Sequence, residues 1–146
     1  MKNNVIYLCS LLLIITIASG CLKNSAGNSS ILVPTGNFQG PFTLIHKNTA
    51  GKLDTATANI VLALSASAAT YSVSGDTTTI QAPSHGTYNV DGTNILFTDA
   101  TVSKTTNLNL PKKHLYGSFL YTFDGTNLHI YGSSDTLSYN YVLTSF

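Results

Sequence analysis

Arginine, glutamate and tryptophan are absent from the 146 residues, and only 9% of the chain is charged. Beyond the first 20 residues, six lysines (23, 47, 52, 104, 112 and 113) balance six aspartates (54, 76, 91, 99, 124 and 135). A nucleic-acid surface needs a basic cluster; Lys112-Lys113 is the one adjacent basic pair, so nucleic-acid binding is excluded. Catalytic constellations are just as scarce. No Gly-x-Ser-x-Gly elbow occurs, and the paired carboxylates of a glycosidase would have to come from aspartate alone. Asp91 and Asp124 read as turn residues, Asp76 follows Gly75 in another turn, and Asp99 and Asp135 fall at strand ends. His46, His85, His114 and His129 show no His-x-His or His-x3-His spacing that would put two on one face. The expectation is a non-enzymatic protein with no metal site and no cofactor.

Cysteine is nearly absent too. Cys9 lies inside the one long apolar run, and Cys21 follows it. Residues 5–18 are rich in Leu and Ile and come after Lys2, the single charge in the first 22 residues. The run closes with Ile17-Ala18-Ser19-Gly20. A charge, an apolar stretch and small residues, in that order, make an export signal. At roughly 14 residues the run is short for a bilayer span, which takes ~20. No second such run follows, so no other segment is expected to span a membrane.

Ile17-Ala18-Ser19-Gly20-Cys21 resembles the lipobox of bacterial lipoproteins. The resemblance implies cleavage before Cys21, a diacylglyceryl thioether on its sulfur and acylation of the new amino group. Palmitate-type chains would then hold the protein to a membrane in the cell envelope. Lipid attachment also accounts for a lone thiol in an oxidising compartment, where unpaired cysteines are unusual. In lipoproteins of the Bacteroidota, acidic residues after the lipidated cysteine accompany surface export. Leu22-Lys23-Asn24-Ser25 has none, which implies the outer membrane, facing the periplasm.

Three parts follow: a signal peptide at 1–20, a tether at 21–35 and one domain at 36–146. Residues 22–30 are small and polar with no period, as in a flexible linker. The domain is rich in Ser, Thr, Asn, Gly and Tyr, with turn signals every 8–15 residues and no uninterrupted 3.6-residue period. That spacing predicts antiparallel strands. An internal repeat makes the point: Tyr88-Asn89-Val90-Asp91-Gly92-Thr93-Asn94-Ile95-Leu96-Phe97 matches Tyr121-Thr122-Phe123-Asp124-Gly125-Thr126-Asn127-Leu128-His129-Ile130. Each copy sets Asp-Gly between alternating apolar residues, a hairpin signal. Strands are predicted near 37–47, 58–65, 70–74, 86–90, 94–99, 116–123, 127–131 and 137–145, with one long connection at 100–114. Eight strands joined in order predict a single antiparallel up-and-down barrel, which removes exposed edges; a β-sandwich is the alternative.

An anchored eight-strand meander resembles the lipocalin-like (calycin-type) lipoproteins of the Bacteroidota. Gly36-Asn37-Phe38 stands where that family carries Gly-x-Trp. The family implies an open barrel end and a small apolar ligand. Alternation turns Tyr71, Tyr88, Phe97, Phe119, Tyr121, Phe123, Tyr139 and Tyr141 inward. Of these, Tyr71, Tyr88, Phe97, Tyr121, Tyr139 and Tyr141 are the candidate ligand contacts; a packed aromatic core with hydroxyls bonded to backbone is the competing reading. The expected role is a lipid-anchored envelope barrel binding a small apolar or amphipathic molecule. The alternative is a filled barrel acting as an interaction module through outward Tyr116, Leu120 and Tyr131.

Overall fold

The structure, a computed structural model, describes residues 31–102 and 112–146. The leader, Cys21 and residues 22–30 lie outside the described residues. Eight strands follow one another: β1 Gly36–Lys47, β2 Leu53–Ser65, β3 Thr70–Gly75, β4 Ser84–Asp91, β5 Asn94–Asp99, β6 Gly117–Phe123, β7 Asn127–Ser133 and β8 Leu137–Ser145. Each pairs antiparallel with the next, and β1 also pairs with β8, so the sheet closes into an up-and-down barrel. Closure satisfies the backbone groups of every strand and leaves no edge.

Period-two patterning decides which residues fill it. Phe38, Phe42, Ile60, Leu62, Tyr71, Val73, Ile95, Phe97, Leu128, Ile130, Tyr141 and Leu143 point inward and are buried. Fully burying one such side chain contributes about 1.5–3 kcal/mol. The two repeat copies become the hairpins β4–β5 and β6–β7. Gly92 and Gly125 hold φ of 57° and 99° in their turns, the left-handed region that glycine enters without a Cβ clash. The equivalent pairs Tyr88 and Tyr121, and Ile95 and Leu128, are all buried.

Strand β2 begins five residues before its predicted start. Residues 53–57 are exposed throughout, so they carry no alternation, yet they pair with β1 from Thr43↔Thr57 to Lys47↔Leu53. Backbone pairing to a neighbour, rather than burial, makes them strand.

Both barrel ends are crossed by chain. At the entry end, where β1 starts, Pro34 is buried and its carbonyl accepts the Tyr88 hydroxyl at 2.7 Å. Thr35 Oγ1 donates to Leu64 O at 3.3 Å and accepts the Ala66 N–H at 3.2 Å. Pro34 and Thr35, at the end of the predicted tether, therefore belong to the barrel's packing. At the far end, Lys113 N–H donates to Ile80 O (2.7 Å) and Ala82 N–H to Lys113 O (2.8 Å). This short parallel bridge brings Gln81, Ala82 and Leu115 over the mouth, where all three are buried. All eight strands and both crossing segments lie within the compact unit Ile31–Phe146.

Candidate functional site

The candidate ligand contacts divide into two groups. Tyr71, Tyr88, Phe97, Tyr121 and Tyr141 are buried among other interior side chains. Phe97 has no exposure, with Tyr71 edge-on at 4.9 Å, Phe119 at 6.1 Å and Tyr88 at 6.3 Å between ring centroids. Three phenols are committed to the protein itself. Tyr71 donates to Leu115 O at 2.6 Å, Tyr88 to Pro34 O, and Tyr141 to Gln81 Oε1 at 3.1 Å. Burial pushes all three phenol pKa values up, and for Tyr71 the Asp99 charge adds to this. They remain protonated donors, and all three are aimed at the segments that cross the ends. Their hydroxyls act as internal fasteners.

Tyr139 is different. It is half-buried on β8 and reaches a cleft of about 240 Å³ at the far end, between β6, β7 and β8. Phe119 meets the Tyr139 ring edge-on at 6.2 Å. Gly132 leaves the space between them: a Cβ there would lie 3.0 Å from the Phe119 ring. His114, Tyr116, Ser133 and Ser134 line the same cleft. Drug-sized ligands use roughly 300–1,000 Å³, so this cleft suits one ring, a short acyl segment or a small head group.

Asp99, the last residue of β5, holds His114 in place. Its Oδ2 lies 2.7 Å from His114 Nδ1, and its Oδ1 accepts from Thr101 N–H (2.7 Å) and Thr101 Oγ1–H (2.5 Å). The Asp99 carboxylate is buried, so these bonds are what keep its charge tolerable. With Nδ1–H donated to the carboxylate, Nε2 is the ring nitrogen left for the cleft. Such a pair supplies the orienting and proton-accepting parts of a catalytic triad. Its hydroxyl neighbour, Thr101, sits 3.2 Å from Nδ1, on the nitrogen already used by Asp99. The arrangement orients a hydrogen-bonding imidazole, and Thr101 is not placed as a nucleophile on its Nε2.

No family model, no curated protein and no solved structure matches the chain. In the Gly36-Asn37-Phe38 likeness, Phe38 lies buried in the barrel, edge-on to Phe123 at 5.7 Å.

The four histidines are not gathered. His46 and His85 are exposed on β1 and β4, and His129 faces outward, bonded to Asn140 on β8. The Asp99–His114 pair escaped sequence reasoning because 15 residues and the long connection separate its members. Asp99 reads as an ordinary strand-end residue, and no spacing rule links it to a histidine in a loop.

Proposed function

We propose that the chain is a lipid-anchored, non-enzymatic barrel of a bacterial envelope, held through Cys21 at the outer membrane and facing the periplasm. It takes one small apolar or amphipathic group in the far-end cleft. The observation that carries this is the mixed lining: the rings of Phe119 and Tyr139 share the cleft with the Asp99-buttressed His114 and the hydroxyls of Ser133 and Ser134. An amphipathic group presents both surfaces at once. The interior tyrosines serve this reading by fixing the walls, since Tyr71 ties the Leu115 segment directly after His114.

Native mass spectrometry of the protein purified from its own envelope tests it. A co-purifying small molecule is expected on the wild type and lost in Tyr139→Ser and in Gly132→Val, which drives a side chain against Phe119. A wild type with no bound mass, or both variants retaining it, would overturn the assignment.

A second reading has its own observation. Leu120 on β6 stands directly opposite Tyr131 on β7, and they are 44% and 37% exposed. Leu96, Val142 and Tyr116 are exposed as well, giving the outer face of β5–β8 an apolar character that suits an interaction module. A photo-crosslinking side chain at position 120 is then expected to trap a protein in intact cells. The same probe at Thr122, also outward on β6, should trap none.

A further inference from the structure

Four large apolar side chains stand in solvent at the entry end: Ile31, Leu32 and Val33 at 52%, 54% and 41% exposure, and Phe146 at 66%. They are gathered at one end of the barrel. Leu32 Cδ2 is the atom that a Cβ on Gly125, in the β6–β7 turn, would meet at 3.8 Å. Ser145 N–H donates to Thr126 O in that same turn at 2.9 Å, and Phe146 N–H to Asn37 O at 3.2 Å. Leu32 and Phe146 thus flank one turn, with Ile31 and Val33 adjoining Leu32. Scattered apolar residues on a surface need no explanation, but four gathered at one end of a barrel do.

Charge sharpens the choice of partner. Among the described residues, the charged groups in the entry-end turns are Asp91 and Asp124, while Lys47, Lys52, Lys112 and Lys113 all belong to the far end. Asp124 is occupied by the N–H groups of Thr126 (2.8 Å) and Asn127 (2.6 Å) and by the Asn127 amide (2.9 Å). Among the described residues, this end has no cation for an anionic lipid. What it offers a bilayer is apolar area.

The chain also arrives here. Ten peptide links join Cys21 to Ile31, a reach of at most about 35 Å even when fully extended. Resting on the Cys21 anchor argued above, we propose that the entry end is a membrane-seating face. Ile31, Leu32, Val33 and Phe146 settle into the interface of a zwitterionic phospholipid bilayer. Seating this end turns the far-end cleft away from the membrane and into the aqueous space.

The absence of tryptophan makes the test direct, because one introduced indole reports only its own surroundings. Residues 21–146 contain the whole barrel unit and a single thiol, Cys21. Coupling that thiol to a maleimide-headgroup phospholipid ties the barrel to phosphatidylcholine vesicles carrying brominated acyl chains. Leu32→Trp and Phe146→Trp are expected to show blue-shifted emission and several-fold stronger bromine quenching than Leu53→Trp at the far end. Equal quenching at all three positions, or stronger quenching at Leu53→Trp, overturns the seating. The coupling is chemical, so these outcomes do not depend on what the cell does with Cys21. Palmitate labelling of cells reads that separately, and its loss would touch the anchor alone.

Discussion

The Tyr141 ring is stacked on Phe42, with centroids 4.3 Å apart and 14° between planes, and its hydroxyl donates to fully buried Gln81. Tyr141→Phe keeps the ring and strands the Gln81 oxygen, so it is expected to cost about 1–3 kcal/mol. Tyr141→Ala, which also opens a cavity, is expected to cost about 3–5 kcal/mol. Urea midpoints at unchanged slope would measure both. Alternation made the direction of Tyr141 legible in the sequence. Its partner was not legible, because Gln81 lies in a connection with no period to read. Asp124 offers a pH-dependent case. Hydrogen bonds from the Asn127 side chain and from the Asn127 and Thr126 backbone lower its pKa from 3.8 to about 2. A carboxylate depressed on folding stabilises fully above its unfolded value and loses that contribution as pH falls through the folded one. Asp124→Asn should therefore be less stable than wild type at neutral pH, with the gap closing between pH 3.8 and about 2. Denaturation midpoints across that window would check it; a gap unchanged at the lower end would contradict it.

At the scale of elements, the seam between β1 and β8 turns a meander into a barrel. Gly40 sits in this seam at φ 154°, and a Cβ there would run into the Val142 carbonyl of β8. Gly40→Ala is thus expected to destabilise by about 1–3 kcal/mol through overpacking against backbone. The loss should be local first: amides paired between β1 and β8 should exchange faster, while those between β4 and β5 change little. Uniform acceleration around the barrel would argue against a seam defect. The strands themselves were largely legible because each buries alternate residues against one core. Val90 and Phe123, at equivalent repeat positions, both pack against that core. The ends were harder to read. Pro34, Gln81 and Leu115 cross the mouths as single buried residues in irregular chain, and their burial depends on tyrosines far away in sequence.

For the whole molecule, the two ends differ in chemistry, and the proposed Cys21 anchor would decide which end matters to the membrane. Each buried methylene of an acyl chain contributes about 0.8 kcal/mol, so two or three chains hold far more firmly than one. Four half-exposed apolar side chains at the entry end would orient a barrel already tethered there, and are too few to substitute for those chains. Cys21→Ser is accordingly expected to abolish palmitate labelling, leave the precursor uncut before residue 21, and shift the chain to a slower-migrating form. A carbonate wash of envelopes distinguishes the possible outcomes. Wild type should stay with lipid after the wash. The uncut variant should carry no acyl label, whether or not its apolar leader keeps it in the pellet. Unchanged labelling in Cys21→Ser would remove the basis for placing this barrel by its lipid, and with it the reason to expect the entry end at a bilayer.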